Sequence, residues 1–152
     1  MNSTEINSFI DEIVPYIIEL LENDYANYMV QTLVSFFNSK QRLRIFLSLN
    51  DQIVQLVCLK QGTFAFQQMI SFIDTEEEFQ LFTEIIENNF FKICTDPNGN
   101  HLIRKLVATM PFSYNEILIR KIFEKFFELV SNRNSVCVMK IFLKILSKEP
   151  QT

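Results

Sequence analysis

The sequence predicts an all-α protein, a solenoid of stacked three-helix repeats. Three observations point there. One short helix opening recurs four times, as Asn27-Tyr28-Met29-Val30-Gln31, Thr63-Phe64-Ala65-Phe66-Gln67, Asn100-His101-Leu102-Ile103-Arg104 and Ser135-Val136-Cys137-Val138-Met139. The first residues of these blocks lie 36, 37 and 35 positions apart, and a fixed period of roughly 20–50 residues marks stacked supersecondary units. Apolar residues elsewhere recur at helical spacing, while only two glycines and four prolines interrupt 152 residues.

Each block has two chemical faces. A helix turns by about 100° per residue, so with the first block residue at zero the fifth lies about 40° away and the second about 100° away. That arc carries Asn27, Tyr28 and Gln31; Thr63, Phe64 and Gln67; Asn100, His101 and Arg104; and Ser135, Val136 and Met139. It presents a small or amide residue, a ring and a longer polar side chain, a shape that Val136 and Met139 break. The third, fourth, seventh and eighth residues fall on the opposite side. They are apolar in every block: Met29, Val30, Leu33 and Val34; Ala65, Phe66, Met69 and Ile70; Leu102, Ile103, Leu106 and Val107; Cys137, Val138, Ile141 and Phe142.

The other elements follow in a fixed order. A short helix is expected before each block, over 15–23, 51–60, 88–95 and 124–131, and a third helix after the first three, over 40–49, 75–87 and 114–123. Pro15 suits a first helical turn, where its missing N–H is no loss. Thr75-Glu76-Glu77-Glu78 reads as a capping-box start whose carboxylates lie in solvent on the positive end of the helix. Gly62 and Gly99, with Ala26 and Asn134 in the same place, are expected to allow a tight turn into the block helix. No such unit buries its apolar side alone. A helix over 4–13, capped by Ser3 or Thr4, looks like the last helix of a preceding unit. The chain thus divides into one domain, 1–152, with repeats at 14–49, 50–87, 88–123 and 124–148. After Phe142, Ile145 and Leu146 no polar cap of the kind that closes solenoids is evident, so that end is expected to meet a partner or further repeats.

Composition narrows the function classes. Hydrophobic residues make up 48% of the chain, enough for a continuous core. The sixteen phenylalanines, such as Phe36, Phe37 and Phe46, Phe79 and Phe82, or Phe123, Phe126 and Phe127, read as core filler. Cys58, Cys94 and Cys137 are far apart and set among apolar neighbours, as reduced core residues of an intracellular protein are. One histidine and no close Cys or His pair leave no case for zinc, and no cofactor motif is present. No membrane span or secretory leader is visible. No nucleophile–base set or phosphate loop supports an enzyme. The net charge of −4 is unevenly spread: residues 1–100 carry 14 acidic and 5 basic side chains, residues 101–152 carry 4 and 9. The C-terminal third is therefore expected to face a polyanion.

At this point the residues resemble the Pumilio (PUF) family of RNA-binding proteins. The segments Asn23-Asp24-Tyr25-Ala26-Asn27-Tyr28-Met29-Val30-Gln31 and Asp96-Pro97-Asn98-Gly99-Asn100-His101-Leu102-Ile103 are similar to that family's repeat, and Lys60-Gln61-Gly62-Thr63-Phe64 and Asn134-Ser135-Val136 match more loosely. The resemblance covers about residues 14–148 and implies a right-handed superhelix of about half the usual eight repeats. It also implies that single-stranded RNA lies along the concave side, one base per unit. The first and fifth block residues would touch the base edge and the second would stack on it. Asn27, Gln31 and Tyr28 would then take a uracil; Thr63, Gln67 and Phe64 an adenine; Asn100 and His101 a uracil, with Arg104 open between a cytosine preference and a phosphate contact. Ser135, Val136 and Met139 would tolerate any base or bind none. Run antiparallel, this gives 5′-N-(U/C)-A-U-3′. Lys105 and Lys140 follow their blocks and are expected near phosphates.

The function so implied is sequence-selective binding of messenger 3′ untranslated regions in the cytoplasm, lowering translation or stability. The alternative is a degenerate repeat scaffold that binds protein, as in ribosome assembly in the nucleolus. A corepressor or a second copy at the C-terminal end would be the protein partner.

Overall fold

The computed structural model describes residues 2–148, with Asn50 described through its backbone only. The tail at 149–152, where the fourth expected repeat stops, lies outside the described residues. All regular elements among the described residues are helical: α1 Ser3–Ile13, α2 Ile17–Glu22, α3 Ala26–Phe36, α4 Ser39–Leu49, α5 Ile53–Val57, α6 Lys60–Ile70, α7 Glu76–Thr95, α8 Gly99–Thr109, α9 Phe112–Glu124, α10 Phe126–Val130 and α11 Arg133–Leu146, with 3-10 turns at Val14–Tyr16 and Asn50–Gln52.

Local chemistry sets the boundaries. The cap of α1 is Asn2 rather than Ser3 or Thr4: its Oδ1 accepts from the Glu5 N–H at 2.9 Å, and Glu5 accepts the Asn2 N–H at 2.8 Å. Pro15 falls in the 3-10 turn that leads into α2. The helices expected over 75–87 and 88–95 are one continuous α7, bent at Asn89 (φ −126°, ψ 17°). There the Asn89 amide donates to the Ile85 carbonyl at 2.9 Å, supporting the bend from within.

Three rows organise the packing. α3, α6, α8 and α11 lie side by side as a front row; α2, α5, the second half of α7 and α10 form a second; α1, α4, the first half of α7 and α9 form a third. Each helix meets its counterpart one period on, as a repeat with no private core requires. In the middle of the front row the expected apolar side is fully covered: Ala65, Phe66, Met69 and Ile70, like Leu102, Ile103 and Leu106, have no exposed surface.

The ends depart from that pattern. Met29 is 44% exposed and Cys137 is exposed as well, each on a helix at one end of the front row. Cys137 is therefore not a core thiol, whereas Cys94 is, and burial pushes it up to about 12. Phe36, Phe123, Phe126 and Phe127 are likewise exposed, against the expectation of core filler, while Phe37, Phe46 and Phe82 are buried. Phe36 ends α3, and the other three surround the α9–α10 junction at the far end of the rows. Helical period marks a face as apolar without supplying a neighbour to cover it. Lys125, just before α10, and Glu128 within it stand where α7 has Phe90 and Ile93, and they pair at 3.1 Å, so that face of the last segment is charged.

One polar cluster is buried between repeats. Glu78, expected as a solvated helix start, is fully buried. Its carboxylate accepts Arg42 Nε at 2.7 Å and Arg42 Nη2 at 3.0 Å, and also the Asp74 N–H, the Thr75 N–H and the Thr75 hydroxyl. Arg42 Nη1 donates to the Phe37 carbonyl at 2.9 Å and Nη2 to Asp74 at 2.6 Å. Burial alone would raise the Glu78 carboxyl; the Arg42 bonds, the Asp74 amide and the Thr75 hydroxyl outweigh it and hold the group below its ordinary value. The glycines have a related, steric reason: neither opens a turn, since Gly62 lies within α6 and Gly99 begins α8. A Cβ on Gly62 would overlap the Leu56 carbonyl, and one on Gly99 would lie 2.7 Å from the Ile93 carbonyl oxygen. Both helices press directly on the backbone of the one before.

Arg42→Ala strands a buried carboxylate and lowers the unfolding free energy by about 3–5 kcal/mol in urea titrations. The wild type loses the Glu78 contribution as pH falls from the ordinary glutamate range through the lowered folded value, and Glu78→Gln removes that part of the acid limb. Gly62→Ala forces α5 and α6 apart and lowers stability by about 1–3 kcal/mol, whereas Ala26→Gly, at the equivalent place in α3, changes it by about 1 kcal/mol or less.

Candidate nucleic-acid interface

The front row gathers the residues singled out above on one surface. Tyr28 (66% exposed), Phe64 (57%) and His101 occupy the same turn of α3, α6 and α8, and each points away from the core. Val136 in α11 is half-buried. Neighbouring helices lie about 8–10 Å apart, so the rings are successive rungs of one face.

The first residue of each block is less accessible than the helical arc implied. Asn27, Thr63, Asn100 and Ser135 are 0–4% exposed, and each is tied to backbone. Asn27 Nδ2 donates to the Asn23 carbonyl at 2.6 Å, and Asn100 Nδ2 donates to those of Asp96 at 2.8 Å and Pro97 at 2.9 Å. The Thr63 hydroxyl donates to the Asn98 carbonyl at 3.0 Å, and the Ser135 hydroxyl contacts those of Leu129 at 2.5 Å and Asn132 at 3.1 Å. These side chains hold the foot of each front-row helix.

The fifth residues are arranged over them. Gln31 Nε2 donates to Asn27 Oδ1 at 2.8 Å, and Gln67 Nε2 reaches the Thr63 hydroxyl oxygen at 3.5 Å. Each glutamine amide keeps a second N–H and its carbonyl oxygen for another partner. Arg104 differs: its Nη1 lies 3.4 Å from His101 Nδ1, and its buried Nε has no partner. Asn100 has both amide protons on backbone carbonyls, so its oxygen is the group left to accept. Met139 is 8% exposed and joins the core. The first three blocks thus combine a flat ring with directed donors and acceptors, and the fourth combines neither.

Other residues were not evident from block spacing. Asn98 Nδ2 donates to the Cys58 carbonyl at 2.9 Å and Asn134 Nδ2 to that of Thr95 at 2.8 Å, while Gln61 Nε2 donates to Asp24 at 2.6 Å. These bonds run between consecutive units and set the front-row helices against one another. The amide side chains just before each block were their one visible trace. The charge distribution is the other finding: α3, α6, α8 and α11 contain no aspartate or glutamate, although the chain has 18, and they carry Lys60, Arg104, Lys105, Arg133, Lys140 and Lys144.

Known proteins share these features. The family model described as the Pumilio-family RNA binding repeat matches residues 16–49, 52–86 and 89–123. Putative pumilio homolog 8, chloroplastic, and pumilio homolog 12, both from Arabidopsis thaliana, are each 25% identical to this chain and cover 85% and 91% of it. Suppressor protein MPT5 of Saccharomyces cerevisiae is 23% identical over 89% of it. The chain spans only 26%, 24% and 17% of the lengths of these three relatives. Among solved structures, the Puf4 RNA binding domain bound to the HO endonuclease RNA 3′ UTR recognition sequence superposes with a TM-score of 0.86 at 24% identity, over 93% of this chain and 44% of that one. The yeast Puf5p RNA-binding domain bound to MFA2 RNA gives 0.81 at 21% identity, over 91% and 40%. These likenesses establish the stacked three-helix solenoid, and with three repeats matched across more than half its length the chain belongs to the Pumilio family of RNA-binding repeat proteins.

Proposed function

We propose that this chain binds single-stranded RNA along its front row, reading bases with units 14–49, 50–87 and 88–123, with a preference near 5′-N-(U/C)-A-U-3′. The observation that carries this reading is a row of four helices without a carboxylate, in a chain of net charge −4, from which Tyr28, Phe64 and His101 project. A surface meant for solvent alone has no reason to exclude every acid while exposing three rings; a surface meant for stacked bases and phosphates has both reasons. In the first two units the buried first residue bonds the fifth, so Gln31 and Gln67 deliver the base-edge contacts, and in the third Asn100 Oδ1 with the Arg104 guanidinium forms an acceptor–donor pair for a pyrimidine edge.

The Puf4 RNA binding domain is bound in its solved structure to an RNA 3′ UTR recognition sequence. By analogy we infer that the targets are messenger 3′ untranslated regions, that binding lowers translation or stability, and that the site of action is the cytoplasm. Base stacking is worth about 1–3 kcal/mol per base, so three platforms give a modest, micromolar-range affinity. A protein-docking scaffold, as in ribosome assembly or corepressor recruitment, is the second reading, favoured by Phe123, Phe126 and Phe127 exposed together off the front row.

Titration of labelled octamers separates the two. A UA-containing RNA binds more tightly than its CG variant, Tyr28→Ala weakens it about 5–100-fold, and Tyr28→Ala with Asn27→Ala removes the preference. Equal binding of both oligomers, or none, leaves the scaffold. Thermal unfolding gives an independent check: Tyr28→Ala changes stability by no more than about 0.5 kcal/mol, as surface changes do, whereas Asn27→Ala lowers it by about 1–2 kcal/mol through its lost buried bonds.

A further inference from the structure

The fourth front-row helix has lost what reads a base, yet it holds the densest set of cations in the row. On α11 Val136 replaces the ring, Met139 is buried, and the Ser135 hydroxyl is engaged by backbone carbonyls. With Ser135 at zero, Lys140 lies near 140°, Arg133 near 160° and Lys144 near 180°, within about 40° of arc and spread over about 16 Å of helix. All three are exposed, and no described carboxylate lies within ion-pair distance of any of them. Lys105 holds on α8 the angular place of Lys140 on α11, and neither helix carries an acid. The stripe adjoins the angle at which Tyr28, Phe64 and His101 leave their own helices. By contrast α3 carries no charge and α6 only Lys60.

We infer that α11 is a base-independent phosphate clamp: Arg133, Lys140 and Lys144, with Lys105 of α8, grip the RNA backbone beyond the bases that the first three units read. The inference rests on the reading of the front row as an RNA surface and divides its labour. Rings and amides on α3, α6 and α8 supply discrimination; cations on α8 and α11 supply sequence-blind affinity. With RNA antiparallel to the units, the clamp holds the 5′ side of the recognised bases.

The test is a salt series on the full chain, with affinities for the UA octamer and its CG variant measured at several concentrations of potassium chloride. Each phosphate neutralised on a single strand contributes about 0.7 to the log–log slope, so Arg133→Gln, Lys140→Gln and Lys144→Gln together lower it by about 2. Both oligomers weaken by the same factor, and their ratio is unchanged. Glutamine preserves helix propensity at these exposed positions, and an unaltered circular dichroism melt checks the fold. Arg120→Gln, an exposed cation on α9 off the front row, leaves the slope as it was. An unchanged slope in the triple variant, or a collapse of the UA:CG ratio along with affinity, overturns the clamp while the RNA reading stands. Failure of the wild type to bind either oligomer overturns both.

Discussion

The structure depends on burial between repeats rather than within them. No set of three helices here encloses a core; each apolar face is covered only when the next unit is laid against it. Met69 and Leu106 have no exposed surface because front-row helices flank them on both sides, while the equivalent Leu33 and Ile141 on the terminal helices are only half-buried. The close approach at Gly62 and Gly99, where a single added carbon meets a carbonyl, shows how tightly consecutive helices are pressed. A surface made of one face from each helix is therefore as regular as the stacking beneath it.

Polar groups inside the stack reinforce that regularity. Arg42 of α4 and Glu78 of α7 join two units through a buried pair whose remaining bonding capacity is taken up by Phe37, Asp74 and Thr75. Buried ion pairs add little net stability over an apolar filling but penalise any misaligned alternative, because a displaced unit would strand a charge. Asn98 and Asn134 act in the same sense from the front, each bonding the carbonyl of a residue in the preceding unit. Thr63 returns such a bond to Asn98, so the first residue of the second block also ties two units together. The recurring block and the architecture thus share residues at the foot of each front-row helix.

That sharing changes how the recurring block is understood. Its first residue lies beneath the surface: Asn27, Thr63, Asn100 and Ser135 are buried and bonded to backbone. Its second residue is an exposed ring in the first three units, and its fifth is, in the first two, an amide held by the first, as the Gln31–Asn27 bond shows most directly. Where the fifth residue is Met139 it folds into the core instead, and α11 displays Arg133, Lys140 and Lys144 in place of a ring and an amide. The exclusion of every acid from the four front-row helices links these roles, because one carboxylate beside Lys105 or Lys140 would cancel much of the local field.

Much of this was legible in the chain itself. Period, helix content, the four block helices and the exposure of Tyr28, Phe64 and His101 follow from spacing and the 100° turn, which are local properties. What escaped the sequence depended on neighbours distant along the chain. Glu78 looked like a solvated helix start because its capping box is local, whereas Arg42, its partner, lies 36 residues away. Phe127 and Phe46 carry the same periodic signature, yet one is 83% exposed and the other fully buried, because only packing decides which apolar face is covered. Asn27 and Asn100 shared an arc with exposed rings and were still drawn under by carbonyls of the preceding turn. The amino-acid order alone determined the repeat, its two-faced helices and the chemistry it displays, since each is set within a few residues. Tertiary structure decided which groups remain accessible, since accessibility belongs to the assembled stack.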